Sequence, residues 1–161
     1  MDQRMSKDKY YLNIADAVLD RSTCLRRKYG AIIVKNDEIL STGYNGAPRG
    51  RVNCSELGYC NREQLNIPSG QRYELCRSVH AEANAIISAA RRDMVGGTLY
   101  LVGRNAQTGE LLHDATSCAM CRRLVINAGL SKVVIRNTET EFSTVDVQDW
   151  VDLEDDVPDL R

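Results

Sequence analysis

The chain has 161 residues, with 21 Lys and Arg against 22 Asp and Glu, a formal net charge of −1. Its 43% hydrophobic and 27% charged residues fit an ordinary globular chain of about one domain, which excludes a disordered polymer; the basic excess of a general nucleic-acid binder is missing. No apolar run approaches the roughly 18–20 residues of a membrane helix, stretches such as Ala31-Ile32-Ile33-Val34 being among the longest, and the polar start from Met1 to Lys9 is no secretory signal, so a cytoplasmic protein is expected.

Ser6 is placed to cap an amphipathic helix over 7–21, in which Tyr10, Tyr11, Ile14, Ala17 and Val18 recur at three- and four-residue spacing. Gly30 to Lys35 reads as a buried strand, Asn36-Asp37 as a tight turn and Glu38 to Gly43 as the returning strand of a hairpin. Residues 44–78 hold Gly46, Pro48, Gly50, Gly58, Pro68 and Gly70 together with Cys54, Cys60 and Cys76. A structureless segment of that length inside one domain needs an anchor, and cysteine ligation of a metal would supply one. An alanine-rich helix is expected over 80–93, stopped by Gly96-Gly97, then a strand from Thr98 to Val102 and a polar loop over 104–117. Cys118 to Ala128 reads as a helix closed by Gly129, and Lys132 to Ile135 as a strand. Residues 146–161 read as a short helix with Trp150 and an acidic end carrying Asp152, Glu154, Asp155 and Asp156. Strands alternating with helices point to an α/β sandwich around one sheet.

The thiols carry the first chemical signal. Cysteines kept reduced in the cytosol are more often metal ligands or catalytic groups than disulfides. Cys118 and Cys121 fall three residues apart on the first turn of a helix, on one face, where the positive helix end favours thiolates. Zinc ligation, a redox pair and two buried apolar cysteines are all open to this pair alone. His80-Ala81-Glu82 opens the preceding long helix, on the other side of a strand, and this alternation is able to bring both helix starts to one edge of the sheet. Three ligands, His80, Cys118 and Cys121, leave the fourth tetrahedral position of a zinc ion for water, the mark of a catalytic site. Glu82, two residues from His80, is poorly placed as a co-ligand and better placed to shuttle protons.

His-x-Glu followed by Cys-x-x-Cys is the pattern of zinc nucleobase deaminases. With Cys24…Gly30-Ala31, Gly43-Tyr44-Asn45-Gly46-Ala47-Pro48-Arg49-Gly50, His80-Ala81-Glu82-Ala83-Asn84-Ala85-Ile86 and Cys118-Ala119-Met120-Cys121, the sequence resembles the cytidine/deoxycytidylate deaminase superfamily over most of residues 7–136. It is most similar to the bacterial and phage deoxycytidylate (dCMP) deaminases. Ser117 stands where that family usually has proline; serine is able to cap the helix that follows.

The resemblance implies a three-layer α/β/α fold with a mixed five-stranded sheet, a single domain over 1–161, and hydrolysis of dCMP to dUMP and ammonia. It implies that Glu82 moves the water proton to N3 and then to the departing amine. It also implies a sugar contact from Asn45 and pyrimidine-edge contacts from the Ala81 and Ser117 backbones. A phosphate needs a local cation: Arg26, Arg27 and Lys28 precede the first strand and Arg49 and Arg51 flank the glycine-rich loop, with Arg26 the first choice. Cys24, Cys54, Cys60 and Cys76 are enough for a structural zinc site, and family members resemble this in carrying a second zinc near the glycine-rich loop. Further implications are a homohexamer and dCTP or dTTP as effectors, with Asn84, Gly46 and Gly50 the places to look for them. Neither a nucleic-acid polymer nor a membrane is an expected partner. Competing readings are deamination of cytidine, of guanine or of adenosine in tRNA (the last disfavoured by the net charge of −1), an inactive zinc-stabilised binding module, and a thiol redox protein. His113 has no partner motif and reads as a surface residue.

Overall fold

The computed structural model describes residues 3–153, so Glu154, Asp155 and Asp156 of the expected acidic end lie outside the described residues. Ser6 caps the first helix, α1 (Lys7–Val18), by accepting from the Lys9 N–H at 3.2 Å. The buried stripe differs from the expected one. It is Tyr11, Leu12, Ala15 and, in the 3-10 turn that follows, Leu19, while Tyr10 and Ala17 are exposed. Tyr10 and Ala17 are on the outer face, and Leu12 supplies the apolar contact that the aromatic run obscured. Strand β1 (Arg27–Lys35) turns at Asn36 and Asp37, both with positive φ (51° and 62°), into β2 (Glu38–Tyr44), the left-handed pair a two-residue hairpin requires.

The expected long loop contains two short helices, α2 (Cys54–Leu57) and α3 (Asn61–Gln64), and a 3-10 turn at Tyr73–Leu75. Its two ends are stitched together by reciprocal hydrogen bonds between Gly46 and Val79 (3.2 and 2.7 Å). The single helix expected over 80–93 is two, α4 (Ala81–Ile87) and α5 (Arg91–Met94), because Ala90 is extended. The break lets Met94, 2% exposed, reach the core, and that burial overrides the helix propensity of the alanines. Then come β3 (Thr98–Asn105), α6 (Ala119–Ala128) with Gly129 as its left-handed cap, β4 (Lys132–Arg136), β5 (Phe142–Asp146) and α7 (Val147–Asp152). Cys118, rather than Ser117, is the N-cap of α6, its sulfur accepting from the Cys121 N–H at 3.5 Å.

The sheet order is β2-β1-β3-β4-β5, with β3 and β4 parallel and every other pair antiparallel. One face packs α1 through Leu12, Ala15 and Leu19 on Ile32, Val34, Tyr100 and Val134. The other packs α4, α6 and α7 on Ala31, Ile33, Leu99, Leu101, Val133 and Ile135. This is the expected three-layer arrangement with a mixed five-stranded sheet. Gly30 pairs with Tyr44, and Arg27 with Asn105, so the chain enters β1 and leaves β2 and β3 at one end of the sheet. From that end the insertion leads to the start of α4, and residues 106–118 lead to the start of α6.

Two glycines set how closely the layers approach there. A Cβ on Gly30 would lie 2.1 Å from the Ala15 carbonyl oxygen. One on Gly43 would lie 2.3 Å from the Ala81 carbonyl oxygen and 2.4 Å from the Ala85 nitrogen. These neighbours are backbone, so they move only if a whole helix moves. Gly43→Ala is therefore expected to destabilise the fold by about 1–3 kcal/mol, the usual range of an overpacked core, and to push α4 outward. Urea denaturation checks the first and substrate turnover the second.

Candidate active site

His80 is the N-cap of α4, and Cys118 the N-cap of α6 with Cys121 on its first turn. Because both helices start at the same end of the sheet, three side chains from distant segments meet. His80 Nδ1 lies 3.5 Å from Cys118 Sγ and 3.4 Å from Cys121 Sγ. Zinc with bonds of about 2.0–2.1 Å to nitrogen and 2.3 Å to sulfur, in tetrahedral geometry, sets such atoms roughly 3.5 Å apart; the donor set and its spacing fit that ion. Among the described residues, His80, Cys118 and Cys121 form the one group of three or more such donors with all ligand atoms within 4.8 Å.

The electrostatics agree with a cation-binding centre. The Cys118 thiol is lowered to about 4, first by its hydrogen bond with Cys121 and also by its contact with His80. Cys121, 0% exposed, is driven far up by that same hydrogen bond and by burial. One thiol thus ionises at the other's expense, a conflict that a divalent cation removes by deprotonating both. Burial lowers the His80 pKa, but the bond to Cys118 and the charges of Cys118 and Glu82 outweigh it, and the net shift is upward. Glu82, 4% exposed, is shifted upward by burial, against the lowering effects of its backbone hydrogen bond, His80 and Ser117. A carboxyl so placed is suited to holding a proton and passing it on.

A solvent-open cleft surrounds these groups, lined among others by His80, Glu82, Cys118, Asn45, Arg26, Arg27, Tyr29 and Tyr73. The Asn45 side chain is a junction: its Oδ1 accepts from Ser22 Oγ (2.6 Å) and from the Tyr29 N–H (2.8 Å), and its Nδ2 donates to the Arg27 carbonyl (2.8 Å). One amide hydrogen is left over. Arg26 pairs with Glu63 of α3 at 2.9 Å. Ala81 is the buried first residue of α4, and Ser117 is buried just before α6.

Three cleft residues had no signal in the sequence. Arg62 is buried within the insertion, donating to the Gln71 and Pro68 carbonyls (both 3.1 Å) and lying 4.5 Å over the Tyr73 ring. Tyr73 in turn meets the His80 imidazole edge-on, with ring centroids 4.9 Å apart at 90°. Tyr29 follows the basic run into β1. None belongs to a spacing motif, since an insertion's internal contacts have no period to read.

The remaining predicted residues divide. Cys24, Cys60 and Cys76 line the same cleft, and the charges of all three act on buried Cys54, whose pKa is raised chiefly by burial. These four thiols are neighbours, but they do not form a tight ligand group of the kind His80 belongs to among the described residues. Asn84 and Gly46 share a second cleft with Tyr44, Pro48, Arg49 and Ser88, and Gly50 is not among the residues that line it. His113 is exposed, 2.9 Å from Asp114. No helix of the described residues is long and apolar enough to cross a membrane.

The family described as the cytidine and deoxycytidylate deaminase zinc-binding region matches residues 5–137. A deoxycytidylate deaminase of Mycobacterium phage D29 is 37% identical over 132 residues, covering 79% of this chain and 91% of that one. The deoxycytidylate deaminase of Schizosaccharomyces pombe is 34% identical over 131 residues, and this chain spans only 37% of its length. The dCMP deaminase of cyanophage S-TIM5, solved in complex with dCMP and dUMP, aligns with a TM-score of 0.58 and 28% identity, covering 84% of this chain and 85% of that one. The motifs, the meeting of His80 with the thiol pair, and the match over 5–137 agree, and the chain belongs to the cytidine and deoxycytidylate deaminase family.

Proposed function

We propose that this chain is a zinc-dependent hydrolase that converts dCMP and water to dUMP and ammonia, acting as one deaminase domain over 1–161. The observation that carries the reading is the convergence of His80 on Cys118 and Cys121 at 3.4–3.5 Å beside the buried carboxyl of Glu82. A binding module has no use for that carboxyl. The dCMP substrate is supported by relatives named deoxycytidylate deaminase, three of them at 34–37% identity.

His80, Cys118 and Cys121 would hold the zinc, whose chemistry is to make a water nucleophilic near neutral pH. Glu82 accepts that water's proton and delivers it to N3 of the cytosine. Once the C4–O bond has formed, Glu82 takes the proton of the new C4 hydroxyl and gives it to the amine, and the C4–N bond breaks as ammonia leaves and the C4 carbonyl forms. The spare Asn45 amide hydrogen meets the sugar, and the Ala81 and Ser117 backbones meet the pyrimidine edge. Arg26 takes the phosphate, exchanging its Glu63 partner for the ligand.

Cys24, Cys54, Cys60 and Cys76 would hold a second, structural zinc. Their shared neighbourhood supports this, and drawing them together would tie the insertion to the start of β1. The second cleft, with Asn84 and Gly46, and Gly50 on the same loop, is the proposed seat of dCTP or dTTP as effectors. The working form is a cytoplasmic homohexamer serving pyrimidine nucleotide synthesis. Ammonia release from a panel of dCMP, deoxycytidine, cytidine, CMP, dCTP and guanine tests the substrate. We expect dCMP to be the best substrate by kcat/KM, and a better result with cytidine or guanine would move the enzyme to another branch of the family.

A further inference from the structure

The spare Asn45 amide hydrogen serves a substrate only if the amide is held at one angle. Which end of the amide points where is settled by two main-chain partners. The Arg27 carbonyl only accepts and the Tyr29 N–H only donates, so Nδ2 faces the first and Oδ1 the second, each at 2.8 Å. Both partners belong to β1, two residues apart. Two contacts on one strand leave the amide free to rock about the line that joins them. The third contact comes from another segment: Ser22 Oγ, at the end of the 3-10 turn after α1, donates to Asn45 Oδ1 at 2.6 Å. Both residues are buried.

The Ser22 hydroxyl is not needed to hold these segments together. The Ser22 N–H closes its turn on the Leu19 carbonyl at 2.9 Å, and the Thr23 N–H donates to the Asn45 carbonyl at 3.3 Å, both main chain to main chain. Its other bond, accepted from the Cys24 N–H, is long at 3.4 Å. Ser22 is not among the residues lining the cleft, whereas Asn45 is, so any effect of Ser22 on substrate passes through that amide.

We propose that Ser22 is a positioning residue that locks the tilt of the Asn45 amide, aiming its spare N–H at the one sugar hydroxyl that a deoxynucleoside monophosphate leaves unphosphorylated. The inference rests on the deaminase reading above and on its sugar contact from Asn45.

The test compares the parent, Ser22→Ala and Ser22→Thr on dCMP and on its dideoxy analogue ddCMP, which lacks that hydroxyl. Ser22→Ala is expected to lower kcat/KM on dCMP roughly three- to tenfold, the weight of one hydrogen bond, chiefly through KM. On ddCMP it should stay within about twofold of the parent, so the preference for dCMP shrinks. Both substrates are read on one preparation, so partial unfolding or lost zinc cancels from their ratio. Ser22→Thr, which keeps the hydroxyl, should keep the parental ratio. An unchanged ratio in the alanine variant overturns the proposal, whether both activities hold or both fall, and so does a threonine ratio as low as alanine's. Should the alanine variant fail to fold, Ser22→Cys, whose thiol is a weak donor, is judged by the same ratio. A parent that does not prefer dCMP to ddCMP overturns the inference and leaves the deaminase reading standing. A parent inactive on every cytosine substrate sinks that reading, and the inference with it.

Discussion

Glu82→Gln should leave the metal in place and remove nearly all turnover. Glutamine has the same length and fills the same buried space at the start of α4, so the fold and the three ligands are undisturbed. What disappears is a group able to take a proton and give it back. General acid–base steps contribute about 10²–10⁴-fold, and Glu82 serves two of them, so a loss near the upper end is expected. Burial of the carboxyl raises its pKa. That keeps the proton available for the amine, and replacing it by an amide removes both directions of transfer at once. The measurement is kcat on dCMP alongside zinc content. Parental turnover, or a loss explained by missing zinc, would refute the assigned role.

Cys121→Ser should take away the catalytic metal itself. Two zinc ions per chain are expected in the parent and one in this variant, whereas Cys54→Ser should lose the other ion and keep the first. A parental value near one would remove the four-cysteine site. Lewis-acid stabilisation by a bound metal is worth several kcal/mol, so at about 1.4 kcal/mol per factor of ten the activity should fall at least ~10³-fold. The pH dependence has a definite sign. The hydrogen bond between the two thiols lowers the Cys118 pKa and, with burial, raises that of Cys121. Ligation must therefore expel the Cys121 proton, along with whatever fraction His80 carries, and affinity falls as protons become more abundant. A chelator should strip the enzyme faster at pH 6 than at pH 8. Equal rates at both would mean that the thiol pair does not hold the ion.

The parts of the site legible in the sequence are those whose chemistry has a fixed spacing. Cys118 and Cys121 share a helix face, His80 and Glu82 open a helix, and alternating strands and helices allow both helix starts to fall on one sheet edge. The hairpin at Asn36-Asp37 and the cap at Gly129 were legible because few residues adopt left-handed backbone. What escaped is what tertiary contact decides. The alanine run did not show that Met94 would be drawn into the core and split a helix. Strand β5 came only with the family resemblance, since its half-exposed residues carry no apolar alternation. Arg62 and Tyr73 read as loop residues until the insertion folded them against His80. Ser117 was taken for a cap, and the cysteine after it does that work.

The glycines Gly30 and Gly43 have a wider bearing. Each sits with helix backbone where its side chain would be, one on either side of the sheet. Most of a protein interior drifts over evolutionary time by exchanging volume, one residue growing while its neighbour shrinks. That freedom is closed where main chain meets main chain. At the rim that carries His80 and Glu82, the backbone of α4 therefore leaves Gly43 no room to exchange volume with a neighbour.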